Sequence, residues 1–139
     1  RKLIKMVEQF ASQHANAHVF TSLGQLRYLS CIAQVDGVVG NSSSGLAEVP
    51  SFKKGTINIG DRQRGRLQAT SVINCEPNQK SIADAINILY SPSFQGDLSQ
   101  ARNPYGEGGA SKEIVKTIRS ITLESLIKKH FYDVSQACA

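Results

Sequence analysis

The sequence predicts an α/β protein in which a Rossmann-like parallel sheet is flanked by helices. Three observations carry this expectation. Four short, near-continuous apolar runs (VFT, VVG, INI and VIN) suit strands buried on both faces. Stretches of helical spacing alternate with them, and the connections are short, as strands joined by helical crossovers require. The 139 residues amount to one domain's worth of chain, long enough to bury a core. Four strands make a small sheet, the size of the trailing part of a Rossmann-like domain.

The elements follow in order. RKLIKMVEQF sets Leu3, Ile4, Val7 and Phe10 on one face, so residues 2–14 read as an amphipathic helix running into the polar stretch SQHANA. HVFTS (18–22) reads as a short strand. GQLRYLSCIAQ (24–34) returns to helical spacing through Leu26, Leu29 and Ile32 or Ala33. DGVVGN is a compact strand, and SGLAEVPSF a short helix limited by Pro50, because proline disfavours helix in the residue before it. GTINIG (55–60) and SVINCE (71–76) are two further strands.

SIADAINILYSP (81–92) reads as a helix with Ser81 as N-cap and Ile82, Ala85, Ile86 and Leu89 as its buried stripe. Residues 93–111 are poor in large apolar side chains and rich in turn formers, predicting a long loop with one helical turn. SKEIVKTIRSI (111–121) predicts a helix capped by Ser111, and LESLIKKHFYDV a final one. The chain opens in helical rhythm with neither an initiator methionine nor an N-cap residue, and we read it as a cut through a larger protein.

Composition narrows the function classes. The chain is 40% hydrophobic and 19% charged, ordinary for a globular protein. No apolar run approaches the roughly 20 residues that span a bilayer, so no membrane partner is expected. Cys31, Cys75 and Cys138 are scattered without C-x-x-C spacing. That odd, sparse count argues for a reducing compartment, read as cytoplasmic, and against both a disulfide framework and a zinc site. The net charge of +5 is dispersed, with DRQRGR (61–66) as its only dense run. A nucleic-acid surface would need a basic stripe with interleaved aromatic residues, so nucleic acid is not an expected partner.

The turn GNSSSG (40–45) lies between a predicted strand and a predicted helix, where open α/β sheets bind their ligands. Small residues let the backbone approach an anion. The first helical turn offers N–H groups, and Ser42 and Ser43 add hydroxyl donors. The same serines also suit a plain N-cap. Neither G-x-G-x-x-G nor G-x-x-x-x-G-K-[ST] is present, so a phosphate cradle here is of another type. Glu48 follows one turn after Ser44. A carboxylate there repels phosphate but can accept hydroxyl hydrogen bonds from a ribose diol, unless it is merely a solvated glutamate. INIGDRQRGR supplies cations at the same predicted sheet edge, with Arg62 and Arg66 four apart, and guanidinium is the natural bidentate partner of phosphate oxygens. Together the two loops predict a diphosphate site.

GNSSSGLAEVPSF, TINIGDRQRGR and NPYGEGGAS, in that order, resemble the carboxyl-terminal domain of UDP-N-acetylglucosamine 2-epimerases. The tract SLGQLRYLSCI followed by GNSSSG is most similar to the hydrolysing branch, which feeds sialic acid synthesis. The resemblance runs from about residue 18 to about residue 120. It implies a UDP-binding domain over 1–139, the C-terminal half of a GT-B-type two-domain fold, with the N-terminal domain elsewhere in the parent chain. It further implies that Ser42 and Ser43 hold the diphosphate, Glu48 binds the ribose hydroxyls, Arg62 pairs with phosphate and Leu23 lies near the uracil. Asp61, Gln63 and Arg66 lie in the same motif as further UDP-binding candidates, and NPYGEG (103–108) would close near the nucleotide.

The implied reaction expels UDP by elimination to a 2-acetamidoglucal. Water then adds to release N-acetylmannosamine in the hydrolysing branch, whereas UDP returns in the other. No cofactor or metal is implied, and the parent is expected to be a homo-oligomer. His14, His18 and His130 match none of the family's catalytic motifs, so no catalytic acid or base is assigned in this chain, and the isolated piece should be inactive. Two rival readings share the donor-site physics: a GT-B glycosyltransferase donor domain, for which GDRQRGR has no special reason, and a nucleotide-sensing module without enzymatic activity.

Overall fold

The computed structural model describes residues 2–122 and 124. They fall into two units, Arg1–Gly106 and Glu107–Ala139. The predicted helix LESLIKKHFYDV, together with His130 and Cys138, lies outside the described residues apart from Glu124.

In the first unit a three-stranded parallel sheet runs in the order β1 (Gly37–Gly40), β2 (Gly55–Ile59), β3 (Val72–Cys75). Gly37 pairs with Gly55, and Thr56 with Val72. Alternation along β2 sends Ile57 and Ile59 to one face and Thr56 and Asn58 to the other. On the first face α4 (Gln79–Leu89) brings Ala85 and Leu89 onto Ile57, and Ile73, Cys75 and Phe94 pack around them. On the second, α3 (Ser44–Ala47) lies so close that the Thr56 hydroxyl donates to the Gly45 carbonyl at 2.8 Å. Both faces of the central strand are covered, which is why it reads as an apolar run and is almost wholly buried.

The sequence expectations meet several corrections. HVFTS forms no strand, and Val19 and Phe20 are exposed. β-branched and aromatic residues favour a strand only where a neighbouring edge satisfies their backbone groups, and none pairs with this segment. The helix expected over SGLAEVPSF is split: α3 stops after one turn, and Val49–Phe52 continues as a 3₁₀ turn with Pro50 in its first turn. Proline lacks the N–H that an α-helix interior needs but is tolerated in such a first turn. Lys53 then closes the segment in the left-handed conformation, φ 55°.

α4 begins two residues before Ser81. Its cap is Asn78, whose Oδ1 accepts from Ser81 N at 2.9 Å. Ala85 and Leu89 of the expected stripe are buried, but Ile82 is only partly so and Ile86 is exposed. Within the segment expected as a loop, α5 (Pro92–Asp97) is capped by Ser91 and followed by a 3₁₀ turn over Leu98–Gln100. Leu98 and Ala101 are buried there.

Of the two helices that precede the sheet, α2 has the expected bounds, Gly24–Gln34, and α1, Lys2–Gln13, ends one residue short of the expected 2–14. α1 leaves its apolar face, including Leu3, Val7 and Phe10, exposed. In the second unit α6 covers Ala110–Ser120, with Gly109 rather than Ser111 at its N-cap. Among the described residues no helix is long and apolar enough to cross a membrane.

Candidate functional site

The serine turn leaves the carboxyl end of β1 and the arginine loop leaves the carboxyl end of β2, its immediate neighbour. Adjacent parallel strands end at the same rim, so the two loops are brought side by side. They meet at Asn41. Arg62 Nη1 lies 3.5 Å from the Asn41 carbonyl oxygen and 3.4 Å from Asn41 Oδ1. Gln63 Nε2 donates to the same carbonyl at 2.7 Å. The guanidinium therefore sits beside the residue that opens the run Ser42-Ser43-Ser44, held only by two long contacts.

The backbone donors expected at the start of α3 are largely consumed by the turn. Gly45 N donates to Ser42 O at 3.2 Å, while Leu46 N and Ala47 N donate to Ser43 O at 3.0 and 2.9 Å. Ser44 N donates to Ser42 Oγ at 3.3 Å. A four-residue helix also has little dipole to contribute. The side-chain donors left for an anion are the hydroxyls of Ser42 and Ser43, both exposed, and the guanidinium of Arg62. Neither serine caps α3 in the simple sense: Ser43 occupies the N-cap position without a side-chain bond.

Glu48 closes α3, and its carboxylate is not free-standing. Ser44 Oγ donates to Glu48 Oε2, and Tyr28 OH lies 2.7 Å from Ser44 Oγ. Asn103, the first residue of NPYGEG, donates to the Ala47 carbonyl at 2.8 Å and to Ser51 Oγ at 2.7 Å. Tyr105 donates its hydroxyl to the Leu67 carbonyl at 3.2 Å. The front of that loop thus straps the chain beside Glu48.

The remaining candidates divide. Leu23 stands half-buried at the N-cap of α2, before Gly24, whose φ of 65° suits glycine. Arg66 is exposed, its N–H donating to Gln63 O. Gln63 is buried, 2% exposed, and acts as a bracket between the loops. Asp61 lines a cavity of about 790 Å³ at the ends of β2 and β3, together with Asn58, Arg64, Gln68, Asn74 and Cys75. Ser42, Ser43, Glu48 and Arg62 are not among its walls. Burial, and secondarily the negative charge of Glu76, push the Cys75 thiol above the ordinary thiol range.

His14 is spent locally, its ring stacked on Phe10 with centroids 4.0 Å apart. His18 is exposed. Among the described residues no group of three His, Cys, Asp or Glu is placed to hold a metal ion. Sequence reasoning missed Asn41, Ser44 and Tyr28. The Ser44–Glu48 spacing of four was visible, but the approach of Tyr28, sixteen positions before Ser44, had no local signal.

The fold and rim define a Rossmann-like α/β unit whose donor-lined loops lie at the carboxyl edge of a parallel sheet. The chain belongs to the UDP-N-acetylglucosamine 2-epimerase family, whose model matches residues 1–119. It is 41% identical over 110 residues to the Escherichia coli polysialic acid biosynthesis protein P7, covering 78% of this chain and 28% of that one. It is 39% identical over 119 residues to a Campylobacter jejuni GDP/UDP-N,N'-diacetylbacillosamine 2-epimerase (hydrolyzing), covering 85% of this chain and 30% of the relative. Within the family it is closer to hydrolysing-branch members. The crystal structure of a UDP-N-acetylglucosamine 2-epimerase superposes with a TM-score of 0.65 at 23% identity, covering 92% of this chain and 36% of that one. The chain thus spans less than a third of the length of these two relatives.

Proposed function

We propose that this chain is the UDP-binding, carboxyl-terminal domain of a hydrolysing UDP-N-acetylglucosamine 2-epimerase. In this reading residues 1–139 form one half of a GT-B-type cleft, and the partner half is an N-terminal domain of the parent. Ser42, Ser43 and Arg62 take the diphosphate, Glu48 takes the ribose hydroxyls and Leu23 borders the uracil. One observation carries the reading: Arg62 from one loop reaches Asn41 at the head of the serine run in the other. The family match and the closeness to hydrolysing relatives support the choice of a sugar nucleotide and of this branch.

The chemistry asks the chain for charge stabilisation. Elimination removes the proton from C2 of the sugar and breaks the anomeric C–O bond, so negative charge grows on the departing diphosphate. Donors already in place for that charge lower the barrier without reorganising during the reaction. Two serine hydroxyls and a guanidinium suit both binding and leaving-group stabilisation. The acid and base that move the C2 proton belong to the other half of the cleft. Water then adds to the 2-acetamidoglucal and releases N-acetylmannosamine. The parent is read as a cytoplasmic homo-oligomer.

Calorimetry with UDP, UMP and uridine on this chain and on Arg62→Ala tests the site. UDP should bind more tightly than uridine, and the substitution should erase most of that difference, about ten- to a hundredfold for a charge-assisted contact. Equal binding of all three ligands to the unaltered chain removes the diphosphate site. For the parent, heavy oxygen from labelled water should appear in free N-acetylmannosamine. Its absence there removes the hydrolysing assignment.

A further inference from the structure

Glu48 is one end of a three-member chain that runs between two helices. Tyr28 belongs to α2, Ser44 opens α3, and Glu48 follows the last residue of α3. Tyr28 OH and Ser44 Oγ are 2.7 Å apart, and Ser44 Oγ contacts Glu48 Oε2. Tyr28, Ser44 and Glu48 are each half-buried, whereas Ser42 and Ser43 before them are exposed.

Proton counting fixes the direction of the chain. A carboxylate only accepts, and a serine hydroxyl has a single proton to give. The Ser44 proton therefore points at Glu48, and the Tyr28 proton must point at Ser44. Each bond polarises the next, so the tyrosine strengthens the serine as a donor. One oxygen of Glu48 is held by this arrangement, and Oε1 keeps its full accepting capacity. The third serine of the run thus differs in kind from the first two. Its hydroxyl proton is committed to a neighbour, whereas Ser42 Oγ only accepts, from Ser44 N, and the protons of Ser42 and Ser43 stay available.

We propose that Ser44 and Tyr28 are positioning residues that aim Glu48 at vicinal hydroxyls, and so set the preference for a ribonucleotide over its 2'-deoxy counterpart. This rests on the reading of Glu48 as the ribose-binding residue. A glutamate side chain has three rotatable bonds, and one near a diphosphate would be driven outward by repulsion. Pinning Oε2 from the protein side keeps the carboxylate at a fixed depth. Accepting two hydroxyl protons at once demands that the carboxylate be held in place, whereas accepting one does not. The diol should therefore be the group whose recognition suffers when the pin is removed.

The test measures, by calorimetry on the full chain, the affinity ratio of UDP to 2'-deoxyuridine 5'-diphosphate. Ser44→Ala should shrink that ratio about three- to tenfold, the worth of one ordinary hydrogen bond, and Ser44→Thr should restore it. Tyr28→Phe should shrink it less and in the same direction. The ratio of UDP to uridine should hold in all three variants, because the diphosphate donors are untouched. Glu48→Gln provides the reference. If it collapses the ribose preference while Ser44→Ala and Tyr28→Phe leave it intact, the positioning role is wrong and the ribose reading stands. If Ser44→Ala weakens both nucleotides equally, the hydroxyl merely supports the fold, and the proposal is likewise overturned. If Glu48→Gln leaves the preference unchanged, the ribose reading itself falls, and this inference with it.

Discussion

Gln63 reaches from the loop after β2 to the backbone of Asn41 in the loop after β1, its Nε2 2.7 Å from the carbonyl oxygen. Arg62 Nη1 shares that acceptor at 3.5 Å. The serine turn and the arginine loop are therefore bound through main chain and amide, independently of any ligand. Gln63 is only 2% exposed, and its Oε1 has no hydrogen-bond partner. Only the Gln63 side of this pair is buried, Asn41 being exposed, so the cost of breaking it falls mainly on the enclosed amide. Gln63→Leu, which keeps bulk, removes the unpartnered Oε1 and leaves the exposed Asn41 carbonyl without this donor, should lower stability by about 0.5–1.5 kcal/mol in urea unfolding. Gln63→Glu should cost at least as much, since a carboxylate cannot donate to the carbonyl. No loss in either variant would mean that water or Arg62 serves Asn41 equally well.

Gly45 is where α3 comes down on the sheet. A Cβ there would lie 2.6 Å from Thr56 Cγ2, and Thr56 is itself tied to the Gly45 carbonyl at 2.8 Å. Gly45→Ala should destabilise by about 1–3 kcal/mol, as overpacking of a close contact does. Thr56→Ser removes the offending methyl and keeps the hydroxyl bond. The double variant should then be less destabilised than the sum of the singles, and strict additivity would exclude the contact as the cause.

What the sequence made legible follows where its signals were local. β1, β2 and β3 announced themselves as short apolar runs, although only the central β2 is covered on both faces and Val39 of the edge strand β1 is exposed. α2 had the expected bounds because Gly24 and the 3.6-residue spacing both lie within it. The failures share one physical reason. Val19 and Phe20 have strand propensity, but pairing depends on an edge far along the chain. Asn78 outcompeted Ser81 as a cap because its own backbone is extended at φ −135°, ψ 155°, the geometry an N-cap needs. In the site, the serine run and Arg62 were readable as motifs. Their meeting at Asn41 and the relay from Tyr28 depend on tertiary contacts and had no sequence signature.

The cap assignment is itself testable. Asn78 Oδ1 satisfies Ser81 N at 2.9 Å, and Ser81 lies inside the helix, beyond the cap position. Asn78→Ala should cost about 1 kcal/mol, and Asn78→Asp or Asn78→Ser should retain most of the stability. Ser81→Ala should change the unfolding midpoint little. The reverse ordering would return the cap to Ser81.

Cys75 ends β3 on the face packed by α4, beside Glu76. Burial, with the Glu76 charge as the smaller cause, raises its thiol above the ordinary thiol range. Both effects disfavour the thiolate in the folded state, which sets the sign of the linkage. As pH rises, the unfolded chain loses this proton first. Stability from Cys75 is thus complete below the unfolded thiol value and falls as pH climbs through that value to the raised folded one. Cys75→Ser should flatten that part of the alkaline decline in stability. In iodoacetamide pulses read by peptide mass spectrometry, Cys75 of the folded chain should gain reactivity at higher pH than Cys75 in urea, and Glu76→Gln should narrow the gap. Reactivity appearing at lower pH in the folded chain than in urea would show the thiolate to be favoured there, contrary to the packing of β3 against α4.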